Sequence, residues 1–203
     1  MDTQDGAASA AAGPFAAWRL TGLGLVRIAF GVVWAVDAWF KWQPDFLDNF
    51  TSYLTTTQQA DGQPGWVRGW IGFWINTVNV EPHHFAVFVA VVETLLAIAL
   101  IAGAMTNVAY LAGMLMSLVI WTTAESFGGP YSAGSTDVGA AIMYAIIFVA
   151  LFLTSAGRYL GVDSRITPRL GRFGWLAAGS FPPDPSRHRP ATERARTAGP
   201  PDS

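Results

Sequence analysis

The sequence predicts an all-α protein: a bundle of four membrane-crossing helices, with aromatic-rich interfacial helices on its outer side between the first and second crossings. Three observations carry this expectation. The 203 residues are 52% hydrophobic and only 13% charged, with a mean hydropathy of +0.34, which is too apolar for an ordinary soluble domain. Four apolar runs, from about Leu20 to Phe40, His84 to Ala104, Val108 to Ala124 and Asp137 to Ala156, approach the roughly 20 residues that cross a hydrocarbon layer of about 30 Å as a helix. Basic residues are also lopsided: eight of the twelve follow Gly157, and only Arg19, Arg27, Lys41 and Arg68 precede it.

The chain divides accordingly. Residues 1–16 are rich in Ala and Gly and have no apolar period to bury, so they read as a disordered tail. They also lack the basic region of a cleavable signal peptide, leaving the first crossing as its own insertion signal. The membrane domain spans 17–157. Its first helix carries Arg27, Asp37 and Lys41 amid apolar residues, and at about 100° per residue these share one face with Gly31 and Trp34. Charges at bilayer depth cost at least about 2.5 kcal/mol on insertion scales, so that face should turn inward and meet partners.

Residues 41–83 are too polar to span and too aromatic for a free linker. Phe46, Phe50, Tyr53 and Leu54 have helical spacing, and Trp66, Trp70 and Trp74 recur every fourth residue after the turn at Asp61 to Gly65. Both pieces read as interfacial helices, either an aromatic belt or a cap over a pocket. The second span begins after Pro82, and its small-residue stripe Ala86, Ala90, Ala97 and Ala104 has Glu93 in its middle, marking a packing face. Glu93 lies roughly 16 Å and Arg27 roughly 11 Å from the inner ends of their helices at 1.5 Å per residue, which predicts a buried Arg27–Glu93 ion pair. A neutral Glu93 bonded to a carbonyl is the alternative.

The short turn at Ala104 to Asn107 makes spans two and three an antiparallel hairpin. Ala109, Gly113 and Ser117 give span three a close-packing edge. A turn-rich loop from Glu125 leads to span four, where Asp137 and Tyr144 are seven residues apart and share a face. Residues 158–180 interleave Arg158, Arg165, Arg169 and Arg172 with apolar residues, a basic amphipathic surface segment; residues 181–203 read as a disordered tail. Because basic segments stay in the cytoplasm, both termini are expected inside, in a multi-pass protein of the cell membrane. The charge asymmetry bears on orientation, and no nucleic-acid partner is implied.

This topology gathers Asp37, Lys41, Glu125, Asp137 and Tyr144 at the outer face as a candidate pocket for a polar head group, with Arg27 and Glu93 as a buried pair. The bland reading of the same acids is helix capping for Asp137, solvation for Glu125 and a simple i, i+4 pair for Asp37 and Lys41. The absence of cysteine excludes disulfides, thiolate metal sites and covalently attached haem. His83 and His84 are the only histidines near the outer acids, but neighbours on a helix diverge by about 100° and chelate poorly together, so a metal site is the lesser reading.

The run Leu25-Val-Arg27-Ile-Ala-Phe-Gly31 leading to Lys41, then Val92-Glu93-Thr-Leu-Leu with a following Gly103, then Asp137 opening the last span and Gly157-Arg-Tyr-Leu-Gly-Val-Asp163 closing it, together resemble the DoxX/DoxD family. The resemblance covers about Leu20 to Asp163. It implies a small four-helix bacterial membrane protein, in DoxD-type members the small subunit of a thiosulfate:quinone oxidoreductase. Asn107 stands where that family pattern has a basic residue. The expected function is therefore a membrane subunit of a quinone-linked redox system, binding quinone or docking a partner subunit and holding no prosthetic group of its own. A homo-oligomer is the other expected association. The competing readings are a small-solute carrier or channel and a scaffold without chemistry.

Overall fold

The computed structural model describes residues 13–129 and 137–178, and the expectations for residues 1–12 and 179–203 fall outside them. Helix α1 runs Gly13–Lys41, α2 Pro44–Gln59, α3 Gly65–Val78, α4 Pro82–Ala102, α5 Thr106–Thr122 and α6 Ala140–Leu153, followed by a short α7, Asp163–Ile166, among 3-10 turns. Among the described residues the fold is helical throughout, with no strand. Residues 13–16, expected in the tail, are already helical, since no charge or proline after Pro14 interrupts the run into Trp18.

Among the described residues two helices are long and apolar enough to cross a membrane: Trp18–Lys41, with a mean hydropathy of 1.6, and Pro82–Ala102, with 2.6. The other two expected spans are shorter, 17 residues in α5 and 14 in α6, or roughly 25 and 21 Å at 1.5 Å per residue. The fourth span was expected from Asp137 to Ala156. It loses both ends because Gly139 takes φ 88° before the first turn and Ser155 takes φ 50° after the last, values a right-handed helix does not admit.

The bundle is built as two tight pairs, α1 on α4 and α5 on α6. Glycines set how closely they approach. A Cβ at Gly31 would stand 2.9 Å from Leu100 Cβ, and one at Gly113 would stand 2.1 Å from the Phe148 ring. The stripe Ala86, Ala90, Glu93 and Ala97 is the buried face of α4, and Ala109, Gly113 and Ser117 are buried on α5. Between the pairs lies a core of Phe30, Trp34, Leu96, Leu100, Tyr110, Phe148 and Leu151.

The 41–83 insertion forms α2 and α3, which pack on each other, with α2 also against α4. Their small core is Leu54, Val67, Ile71 and Val78, joined by Phe50, Ile75, Phe85 and Phe127. The tryptophan ladder expected to cap a pocket does not face this core. Trp66 is 61% exposed and Trp70 39%, and the inward stripe of α3 is Val67, Ile71 and Val78. The compact β-branched residues fit the narrow seam, and the indoles lie where an apolar ring with a polar edge is best accommodated. After Gly157 the expected surface segment is not one amphipathic helix. Pro168 and the glycines at 161, 171 and 174 break it into short turns that fold beneath the bundle.

Candidate functional site

Two clusters of ionisable residues lie inside the bundle, one around Arg27 at the middle of α1, where it meets the end of α4, and one around Lys41, the last residue of α1; in the expected orientation these are the inner and the outer cluster. At the inner end, Arg27 is fully buried and its guanidinium donates to four backbone carbonyls: Leu100, Ile101 (3.5 Å), Tyr159 (3.1 Å) and Leu160 (3.0 Å). The first two belong to the last turn of α4, whose carbonyls have no partner within the helix and form the negative end of its dipole. Gly103, at φ 64°, ends that helix in the left-handed conformation. A Cβ there would lie 2.5 Å from Arg27 Nη1, so only glycine admits the guanidinium.

Asp163 complements this on the next helix. Buried, it accepts from the backbone amides of Met105 (2.6 Å), Thr106 (3.0 Å) and Ala178 (2.9 Å) and from the Thr106 hydroxyl, capping the start of α5. Gly157 makes room for Thr106, whose hydroxyl would stand 2.0 Å from a Cβ at 157. Asn107 ties the following segment down through Trp175 O and Ala177 O, both at 3.0 Å. The Gly157 to Asp163 motif is thus the knot that locks both inner helix ends.

The outer cluster is built differently. Lys41 Nζ sits 2.9 Å from Asp37 Oδ1, one turn below it, and 3.4 Å from Glu93 Oε2 on α4. The same ammonium lies 5.5 Å from the centre of the Phe46 ring. Glu93 has no exposed surface, and neither of its oxygens has a hydrogen-bond partner among the described residues; its contact with Lys41 is at ion-pair distance. Trp42 Nε1 donates to Thr94 Oγ1 at 3.0 Å and closes the cluster from outside.

The expected Arg27–Glu93 pair is therefore replaced by two separate arrangements. Helical side chains lean toward their own N-terminus, so Lys41 reaches back along α1 to the depth of Glu93, and the same lean carries Arg27 away from Glu93 and into the end of α4. That lean, and the affinity of helix C-termini for cations, were the available signals in the sequence.

The five residues expected to line one outer pocket fall into separate sets. Asp37 and Lys41 belong to the Glu93 cluster. Tyr144 stacks in the core, 5.5 Å from the Phe30 ring centre and 6.0 Å from that of Trp34. Glu125 accepts from Ala141 N through both oxygens (3.2 and 3.0 Å), and Asp137 accepts from Gly139 N (3.0 Å), so both acids organise the start of α6. Among the described residues no hydrogen bond or ion pair joins these two acids to Asp37, Lys41 or Glu93. The Trp66 ring packs on Phe127, beside Glu125 rather than over Lys41.

Two open grooves flank the bundle. One, about 580 Å³, lies on α2 between Asp45, Tyr53 and Thr57 and the end of α5 at Ala124. There Tyr53 donates to Asp45 at 2.6 Å, and that bond holds its phenol above the usual range. The other, about 520 Å³, lies at the inner end against Tyr159 and Arg165. His83 and His84 are exposed, with His84 Nδ1 3.1 Å from Glu81, and among the described residues no three potential metal ligands gather. Comparison with family models, curated proteins and solved structures gives no match to the chain.

Proposed function

We propose that this protein is a four-span membrane subunit of a quinone-linked redox system, with both termini cytoplasmic and a quinone head-group site at the outer charged cluster. The observation that carries the reading is Lys41 held between Asp37 and a fully buried, hydrogen-bond-free Glu93 in an otherwise apolar bundle. A charge placed at that depth is costly, and a carboxylate left without hydrogen bonds has only the Lys41 ion pair to offset the cost. A ligand that uses the groups would account for them. The short α5 and α6 cross as a packed pair with local thinning of the bilayer.

Quinone chemistry suits the set. Reduction to quinol takes two electrons, supplied by a redox partner subunit, and two protons. Lys41 offers a hydrogen bond to one quinone carbonyl and Glu93 is a carboxyl that can pass protons; Tyr144, which packs apart from them on Phe30 and Trp34, would meet the second carbonyl as a quinone ring inserts between the two sets. The resemblance to the DoxX/DoxD family, which runs through Arg27, Lys41, Glu93 and the Gly157 to Asp163 motif, supports the same reading. Glu125 and Asp137 serve this site by fixing the start of α6, which carries Tyr144.

The test is quinone-analogue binding to the purified full chain and to its Lys41→Met, Asp37→Asn and Tyr144→Phe variants. Loss of one hydrogen bond to a charged group is worth about 1.5 to 3 kcal/mol, so Lys41→Met should weaken binding by roughly tenfold or more. Unchanged binding in all three folded variants would leave the scaffold reading ahead.

A further inference from the structure

The inner end of the bundle holds more positive charge than its structural duties require. Arg27 is buried with carbonyls for partners, and among the described residues it has no carboxylate within ion-pair distance. Two of those carbonyls, of Tyr159 and Leu160, belong to the wall of the 520 Å³ groove, which Thr21, Arg158, Val162 and Arg165 also line. Among the described residues no acidic one lines it. Asp163 lies behind the wall with its oxygens committed to Met105, Thr106 and Ala178. Three arginines against that one aspartate leave a local charge of +2.

The groove is also placed at a lipid boundary. Gly24 brings α1 against its wall, where a Cβ would lie 2.8 Å from Tyr159 O. In its wall Leu160 (55%) and Val162 (38%) are exposed, as is Leu25 (57%), which follows Gly24 on α1. An anion that is only charged would leave this apolar rim in water, whereas a phospholipid satisfies both halves.

We propose that this groove is a headgroup site for an anionic phospholipid, its phosphate held by Arg158 and Arg165 above the buried charge of Arg27, and its acyl chain laid along Leu25, Leu160 and Val162. The proposal rests on the membrane-spanning reading and is independent of the quinone site. Arg158 is already anchored, since its Nε donates to Ala178 O at 2.6 Å, so its guanidinium is preorganised. Arg165 is exposed, and its backbone N–H bond to Val162 O is kept when the side chain is replaced.

The experiment reconstitutes the full chain in phosphatidylcholine nanodiscs containing a minority of phosphatidylglycerol, and counts the lipids retained by native mass spectrometry after release. The wild type should retain phosphatidylglycerol in preference, and Arg165→Gln should reduce that preference roughly fivefold, the worth of one arginine of about 1 kcal/mol near an anionic surface. Arg172→Gln removes the same charge from an exposed position outside the groove and should change retention by less than about twofold. Equal losses in the two variants would mean diffuse surface charge and overturn the site. Displacement by free glycerol phosphate as effective as that by the lipid would overturn the lipid assignment in favour of a soluble anion. Failure of the wild type to enter the bilayer would overturn the membrane reading and this proposal together, whereas entry without preference would overturn this proposal alone.

Discussion

The two charged clusters along α1 bury charge in opposite ways. In the inner cluster Arg27 is answered by the carbonyls of Leu100 and Ile101 at the end of α4, with two more from the turn at Tyr159 and Leu160, and Asp163 by amides at the start of α5, so each charge meets the partial charge of a helix terminus that needed a partner in any case. In the outer cluster Lys41, in the last turn of α1, is answered charge by charge, by Asp37 one turn earlier and by Glu93 in the middle of α4. The first arrangement stabilises the fold. The second leaves both oxygens of a buried carboxylate without hydrogen bonds, whereas in the first only Arg27 Nε is left without a partner among the described residues.

The largest test of this contrast is Arg27→Met. It removes every donor from a buried set of carbonyls, and by analogy with breaking a buried pair it should cost about 3 to 5 kcal/mol of stability, read as a marked fall in the thermal midpoint of the protein in detergent. Glu93→Gln should cost less than about 1 kcal/mol, because the carboxylate has no hydrogen bonds to lose and an amide is cheaper to bury. If the two variants melted alike, the distinction between the clusters would collapse.

A middle-sized effect sharpens the inner end. Gly103→Ala places a methyl 2.5 Å from Arg27 Nη1 at a backbone φ of 64°. Overpacking of this kind costs about 1 to 3 kcal/mol, and the strained φ adds about 1 more. Because it acts by displacing the guanidinium, the loss should be much smaller when measured in an Arg27→Met background, and a double-mutant cycle checks this. Full additivity would show that the glycine serves the backbone turn and not the arginine.

The helical class, the inward face of α1 and the packing stripe of α4 were legible because they are matters of period and composition: Arg27, Trp34, Ala86, Ala90, Glu93 and Ala97 are all buried. Partner choice was not legible. Period places Arg27 and Glu93 on facing stripes, but which way a long side chain leans, and whether a helix end nearer to hand takes the charge, are tertiary matters that reassigned both residues. The tryptophans at 66 and 70 misled for a related reason. Their spacing is helical, yet Val67 and Ile71 share the same spacing one position on, and only packing selects which stripe turns inward. The outer acids misled through topology. Glu125 and Asp137 lie at the right level, but the amides at the start of α6 claim them first.

The smallest expected effect lies outside both clusters, on α2, and asks whether solvent removes the contrast altogether. Tyr53 donates to Asp45 at 2.6 Å on an exposed surface, and that hydrogen bond, formed only by the neutral phenol, raises its pKa. The bond favours the folded state while the phenol is protonated, so its contribution is complete below the ordinary tyrosine value of about 10 and is lost as pH rises through the raised folded value. Asp45→Asn removes the charge that ionised Tyr53 would have to face. Its tyrosinate absorbance should then appear at lower pH than in the parent, in a difference titration against Tyr53→Phe, while the thermal midpoint at neutral pH barely moves. A large loss of stability in Asp45→Asn would mean that this exposed pair is as structural as the inner knot, and that burial is not what separates the ionisable groups of this protein.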